Sequence, residues 1–387
     1  MHLARCTASA HDTVPISTAP PRRTRPPTAV RRLLTRLGWG LSFAVLAALG
    51  YLLLAPTRVD PVAWPAPPTA GLEGEWAPND ALADHVTIPT GEGPEDVAVG
   101  PDGRLYTGLA DGRVVALDDA GVHTHFDGGG RPLGLAFAND GSLWIADARR
   151  GLLHVDSQGT LIAAVTRADD GTAIGLADEL VLAADGTVWF TDASMRWDVD
   201  DTVLDVLEAQ ATGRVLHHDP WAGTTQVAFD GLRFANGLTL AEDGASLLVA
   251  ETFAYRIVRL WIAGPNRGTR EIFVDGLPGF VDNLDIDADG TLWLGIPSLR
   301  SALIDALLPH PWARRMIARV PHALQPIPPP YGFVIGLDAE GRPRFNLQDP
   351  TGTVHAITSA TPVGDSLVLG SLHADALVRI PRPRPSR

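Results

Sequence analysis

One unit, written five times, most restricts what this chain can fold into. Its first copy is Glu95-Asp-Val-Ala-Val-Gly-Pro-Asp-Gly-Arg-Leu-Tyr-Thr: an alternating apolar run, an Asp-Gly turn and a second apolar run. Variants follow at 133–144, 178–189, 236–244 and 282–293. Asp-Gly between alternating runs is a hairpin signal. These turns fall at 102, 140, 185, 243 and 289, so the unit recurs every 38 to 58 residues. That spacing suits a four-stranded propeller blade, whereas a solenoid repeat would be shorter and more regular.

The first unit predicts strands over 95–100, 104–109, 113–117 and 122–126. A degenerate sixth unit spans 354–361, a Gly364-Asp365 turn, 367–372 and 377–380. A strand within 81–88 is placed to join that last unit and close the ring, which removes exposed sheet edges. The expected fold is therefore all-β: a six-bladed β-propeller over residues 82–381. Two segments at helical spacing, 197–212 and 298–320, interrupt it as insertions, the second broken at Pro309 and Pro311 and rejoined to a strand through 326–330.

Ahead of the repeats, residues 37–56 carry no charge and are long enough to span a bilayer as a helix. Arg22, Arg23, Arg25, Arg31, Arg32 and Arg36 precede this stretch and only Arg58 follows closely. Positive charge stays on the cytoplasmic side, so the N-terminus is expected inside and the propeller outside. A cleaved signal peptide and a buried core helix are the rival readings. The long polar region before the stretch, the lack of a clear A-x-A site and the proline-rich flanks favour an uncleaved anchor.

Residues 1–36 are expected as a disordered basic cytoplasmic tail and 57–81 as a proline-rich extended linker. The single cysteine, Cys6, lies in the tail, so the propeller must hold together without disulfides. There is no lysine; after residue 58 there are 23 arginines against 44 acids. That balance excludes a nucleic-acid-binding main body, which would need a basic face.

Seven residues before each Asp of Asp-Gly stand Glu95, Leu133, Asp178, Asn236 and Asp282. Equivalent points on the inner strands of a propeller converge on its axis. Glu95, Asp178, Asn236 and Asp282 would there present three carboxylates and an amide oxygen, hard donors that suit one axial Ca²⁺. Alternatively they cap strand starts or line a wet channel. A second ladder, at the end of each second strand, reads Leu109, Asp147, Asp192, Glu251 and Ile296, with Ser371 and His373 in the last unit. Asp192, Glu251 and His373 are candidates for substrate contact, with turn capping as the alternative.

Other chemistries lack their motifs. There is no G-x-S-x-G and no H-E-x-x-H, and Gly128–Gly130 does not lead into a phosphate-binding helix.

The runs Leu232-Arg-Phe-Ala-Asn236-Gly-Leu, Val249-Ala-Glu-Thr252 and Gly279-Phe-Val-Asp282-Asn resemble the strictosidine synthase-like proteins. Closest in look is the adipocyte plasma membrane-associated branch, which also has one N-terminal anchor. The resemblance covers residues 82–380 and implies a six-bladed propeller related to gluconolactonases (the SMP-30 group), paraoxonases and diisopropylfluorophosphatase-like enzymes. Such relatives hold an axial Ca²⁺; Glu95, Asn236 and Asp282 match their ligand positions, and Asp178 stands where they commonly have Asn. Two family signatures are missing. Residues 357–362 lack the last-blade glutamate of alkaloid-forming synthases, and Arg131-Pro-Leu133 replaces the paraoxonase histidine.

The expected function is that of a membrane-anchored, Ca²⁺-dependent hydrolase of lactones or aryl esters, with Asp282 as catalytic carboxylate. The alternatives are a non-catalytic ligand- or partner-binding propeller with structural Ca²⁺, and, less favoured, amine–aldehyde condensation.

Overall fold

The computed structural model describes residues 28–69, 71–321, 324 and 328–384; Cys6, the tail up to residue 27, and residues 326–327 lie outside them. The chain divides into two compact units at Ala55/Pro56. The first holds a single helix, α1 (Thr28–Leu54), of which Ala29–Leu54 is long and apolar enough to cross a membrane. The helix starts at Thr28 rather than Leu37. Prolines at 26, 27 and 56 bracket it and none falls inside, so residues 28–36 continue the helical run.

The second unit consists of six four-stranded antiparallel sheets. Blade 1 comprises Ala98–Val99, Leu105–Gly108, Arg113–Asp118 and Gly121–Asp127. Blade 2 comprises Pro132–Phe137, Leu143–Asp147, Gly151–Val155 and Leu161–Val165. Blade 3 follows with Ala177–Leu182, Val188–Asp192, Gly213–Asp219 and Thr224–Leu232, and blade 4 with Ala235–Leu240, Ser246–Glu251, Arg256–Trp261 and Arg270–Val274. Blade 5 is Leu284–Ile286, Leu292–Gly295, Gly332–Leu337 and Pro343–Asp349. Blade 6 is Ile357–Val363, Ser366–Ser371 and Ala376–Pro381, with Val86–Pro89 as its outer strand. The first strand of the unit thus closes the ring against the last, as the repeat count requires.

The Asp-Gly turns work as their chemistry dictates. Asp102, Asp140, Asp185 and Asp243 each accept the N–H two residues on, at 3.0, 3.0, 3.0 and 2.8 Å. The glycine that follows takes the left-handed conformation. In blade 5 that acceptor is Asp287, which takes the N–H groups of Asp289 and Thr291.

The hydrophobic core sits between blades. Tyr106, Val114 and Phe126 of blade 1 pack on Leu143, Ile145 and Leu153 of blade 2, and each further neighbouring pair of blades shares such a cluster. Core residues of an inner strand point sideways into the next blade, which leaves the axis to polar groups.

Both helical insertions form. α2 (Thr202–Glu208) lies between the second and third strands of blade 3, and α3 (Ala302–Leu307) and α4 (Pro311–Ile317) between those of blade 5. The proline-rich stretch before the propeller is extended but is no free spacer. Val62 N–H donates to Glu208 O at 3.0 Å and Trp64 N–H to Leu308 O at 3.1 Å. The fully buried Arg314 guanidinium donates to Val62 O and Leu207 O, and Trp76 is buried against Phe333. Proline content alone signals extension; the buried Val59 and Trp76 decide that this stretch packs.

At the axis neighbouring inner strands come close enough to demand glycine. A Cβ at Gly237 would lie 2.3 Å from Asp282 O. Gly237→Ala should therefore destabilise the full-length protein by about 1–3 kcal/mol, read as a fall of several degrees in a thermal melt in detergent. An unchanged melting temperature would show that the strands have room to spread.

Candidate metal centre at the propeller axis

The inner strands of blades 2, 3, 4 and 6 are each broken by a one-residue register shift at the same point. In blade 3 Ala177 pairs Asp192 but Leu180 pairs Phe190, and blades 2, 4 and 6 shift likewise at 132/135, 235/238 and 357/360. Bulges re-aim side chains. Here the residues they hold are Leu133, Asp178, Asn236 and Thr358. Glu95 and Asp282 occupy the equivalent points just before the short inner strands of blades 1 and 5, their N–H groups bonded to Gly108 O and Gly295 O.

All four predicted ligands are buried, at 3% exposure for Glu95 and Asp178, 5% for Asn236 and 6% for Asp282. Oxygens of Glu95, Asp178 and Asp282 lie within 4.8 Å of one another. Glu95 Oε2, Asn236 Oδ1 and Asp282 Oδ1 are buried with no protein partner, while Asn236 hydrogen-bonds Asp282 through its side chain. Oxygens that share one Ca²⁺ at 2.3–2.6 Å lie within about 5 Å of each other, so the donor set and its spacing fit a hard divalent cation.

Electrostatics give the same answer. Burial and mutual repulsion push Glu95, Asp178 and Asp282 well above the usual carboxylate range, with Asp282 acting on Glu95, Glu95 on Asp178 and Asp178 on Asp282. Burial and repulsion favour their protonated forms, and a bound cation would relieve that repulsion.

The ring is stitched at this level. Thr358 Oγ1 and Ser359 Oγ donate to Glu95 O at 2.6 and 2.9 Å, and Asn283 Nδ2 donates to Glu95 Oε1 at 3.3 Å. Blade 6 thus supplies a hydroxyl where four blades supply a carboxylate or amide, a position hidden in the sequence because this blade lacks the Asp-Gly marker.

Above the cage opens a cavity of about 510 Å³ whose floor is Glu95, Asp178, Asn236 and Asp282. Its walls include Leu133, Leu176, Phe234, Phe253, Phe280 and Leu372, and His355 and His373 are its imidazoles. Of the residues expected to touch substrate, His373 lines this cavity and two do not. Asp192 is fully buried behind the wall, accepting Arg214 Nε at 2.9 Å and the N–H groups of Gly175 and Leu176 at 3.0 and 2.7 Å. Glu251 is equally buried, accepting Arg256 Nε and the N–H of Arg233. The second ladder is a set of turn caps, because a carboxylate at the end of a second strand meets the unpaired N–H groups of the bulged neighbour.

Sequence reading also missed a second acidic layer one step along the channel. Asp96 and Glu179 follow the cage residues, and Asp285 lies three beyond Asp282. Burial raises all three, Asp96 to about 6 and Asp285 to about 7. For Asp96 and Glu179, adjacency to a cage position was the available signal.

Residues 178–265 match the strictosidine synthase family and residues 74–117 the N-terminal strictosidine synthase-like family. The human adipocyte plasma membrane-associated protein is 32% identical over 370 residues, 89% of this chain and 88% of its own length. The chain belongs to the strictosidine synthase-like family. A plant member, strictosidine synthase-like 6 of Arabidopsis thaliana, is 32% identical over 306 residues, 77% of this chain and 81% of its own. Among solved structures a Xanthomonas campestris gluconolactonase superposes with a TM-score of 0.57 at 19% identity, covering 85% of this chain and 99% of its own. A regucalcin from Agrobacterium tumefaciens, described as calcium-binding, superposes at 0.51 and 15% identity, covering 78% and 98%. These structures confirm the six-bladed fold of this family member.

Two outcomes test the site. Asp192→Ala leaves Arg214 buried without its ion-pair partner, so it should cost about 3–5 kcal/mol of stability, read in a thermal melt. The second is a pH slope. Asp285 titrates near 3.8 when unfolded and near 7 when folded, so its contribution is complete below 3.8 and is lost as pH rises through 7. Cation-free protein should become more stable from pH 8 to pH 5, and Asp285→Asn should raise the pH 8 melting temperature and flatten part of that slope.

Proposed function

We propose that this chain is a membrane-anchored, divalent-cation-dependent hydrolase of apolar esters or lactones. The N-terminus would be cytoplasmic and the propeller outside. The observation that carries the reading is three buried carboxylates and an amide, several of their oxygens unpartnered, at the floor of a cavity with apolar walls. α1 and the membrane-associated name of the human relative support the anchor.

Glu95, Asp178, Asn236 and Asp282 would hold the cation, for which Ca²⁺ is the first choice given an all-oxygen donor set. Bound there, it would polarise a carbonyl and stabilise the charge that develops on its oxygen. The protein's own part is positioning and proton transfer. Phe234, Phe253 and Phe280 form a linked aromatic wall, with centroids 4.3 and 5.7 Å apart along the series. Such a wall would seat an aryl or alkyl group and exclude water. Asp282 Oδ1 lacks a protein partner and faces the same floor. It is assigned as the base that takes a proton from the attacking water and returns it to the departing alkoxide or phenoxide as the C–O bond breaks.

Among the described residues that line the cavity there is no arginine, which argues against substrates with carboxylate or phosphate groups. Few polar groups line the walls, so sugar lactones fit less well than aryl esters. The last blade presents Thr358 and Ser359 at the axis and no carboxyl, which weighs against amine–aldehyde condensation. The stitching of blades 1, 5 and 6 around Glu95 favours a second reading, in which the cation only rigidifies a binding propeller.

Phenyl acetate hydrolysis should exceed δ-gluconolactone hydrolysis, disappear with EDTA and return with Ca²⁺. Asp282→Asn should lower kcat about 10²–10⁴-fold. Turnover indifferent to both treatments would overturn the mechanism; retained cation binding with no turnover on any ester or lactone would favour the rigid binding propeller.

A further inference from the structure

A helix on the surface of a water-soluble domain turns its charged side to solvent and its apolar side inward. The three insertion helices do the reverse. In α2 the carboxylates Asp205 and Glu208 are buried, and the residue that stands exposed is Val203. In α3 the exposed residues are Ala302, Leu303 and Ala306, while Asp305 is tied to Arg300 Nε at 2.8 Å. In α4 the exposed residue is Trp312, at 65%; Arg314 is fully buried, and the half-buried Arg315 pairs with Asp60 of the proline-rich stretch.

The three helices share one end of the propeller. α2 follows Asp192, which pairs Ala177, and α3 and α4 follow Gly295, whose carbonyl takes the Asp282 N–H, so all lie at the cage end of their blades. α2 packs on α4 and α4 on α3. Val203 and Pro328–Pro330 are exposed and also line the cavity, which therefore opens among them. The chain that leaves α1 at Leu54 is fastened here almost at once. Arg58 Nη2 donates to Asp201 Oδ2 at 2.6 Å, directly before α2, and Val59 is buried. Only residues 55–57 separate that fastening from the apolar helix.

We propose that α2, α3 and α4 form a lipid-facing surface, seated in the interfacial layer of a bilayer, and that the cavity opens onto lipid. This rests on the anchored reading of α1 above. A contiguous apolar surface of this kind marks an interaction site, and the short tether to an apolar helix commits its occupant to the bilayer. Tethering makes the contact intramolecular, where short linkers give effective concentrations in the millimolar range, so a few apolar side chains suffice. Tryptophan, the most prominent of them here, is the side chain that settles at the lipid–water boundary. The placement also names a ligand class: an apolar molecule dissolved in the bilayer, which enters past Val203 without crossing water.

The test uses the full-length protein with Cys6→Ser, so that Leu303→Cys, Trp312→Cys or Trp221→Cys can each carry one nitroxide label. Trp221 is 81% exposed in the turn between the third and fourth strands of blade 3, at the end away from α2, and serves as the control. In phosphatidylcholine nanodiscs holding one copy each, the labels at 303 and 312 should be relaxed more by oxygen than by a water-soluble nickel chelate, and the label at 221 the reverse. Trp312→Glu should raise nickel access to the label at 303 about threefold or more, because a charge at lipid depth is costly. As a surface change it should leave the melting temperature in detergent within about 2 °C. Labels at 303 and 312 as open to nickel as the one at 221, or shielding at 303 that Trp312→Glu leaves unchanged, overturn the inference while the anchor stands. Shielding seen only in discs with two copies makes this face a contact between copies and overturns it as well. Wild type that alkaline carbonate strips from vesicles overturns the anchor and the inference together. If Trp312→Glu melts early, the comparison of 303 and 312 with 221 decides alone.

Discussion

Like charges forced together where water is scarce are the constraint on which this structure turns. Closing six blades into a ring brings one point of every inner strand to a common axis. Glu95, Asp178 and Asp282 meet there at 6% exposure or less, their oxygens within 4.8 Å. Such a cluster is stable only if it takes up protons or a cation, and the unpartnered oxygens of Glu95, Asn236 and Asp282 mark where the cation would sit. The hydrogen bonds to Glu95 from Thr358 and Ser359 of the adjoining blade 6 and from Asn283 of blade 5 hold that geometry.

The backbone makes this meeting possible through two local devices. A bulge in the inner strands of blades 2, 3, 4 and 6 turns one residue out of the blade-to-blade core and toward the axis. Glycine next to it lets neighbouring strands approach, as at Gly237 against Asp282 O and Gly370 against Glu95 O, where a Cβ would lie 2.3 and 2.1 Å away. Apolar residues on either side of the bulge stay in the interblade clusters. Fold and site are therefore not in competition for the same positions.

The fold was legible because the Asp-Gly turn is a local event. In four of the five turns its aspartate accepts an N–H two residues on, and in all five its glycine takes a positive φ. The recurrence of that turn counted five blades, and a degenerate unit around the Gly364-Asp365 turn supplied the sixth. The cage was legible too, because equal spacing from the same turn means equal height on the axis. Of the three candidates for substrate contact, one lines the cavity. His373 reaches the cavity, but Asp192 and Glu251 point back into Arg214 and Arg256, and nothing in their spacing distinguishes a cap from a ligand. The proline-rich stretch misled in the same way: its extension is local, while its docking depends on Glu208, Leu308 and Arg314, far along the chain.

By itself, then, the sequence determined the repeat, the blade count, the apolar N-terminal helix and four axial oxygen donors, since each follows from periodicity or composition. Tertiary structure alone decided which carboxylates share a site and which serve as caps. It also brought the aromatic wall together from blades 4 and 5 and their connections. Those are contacts between residues distant in sequence, and their pairing is set by closing the ring, which no local pattern encodes.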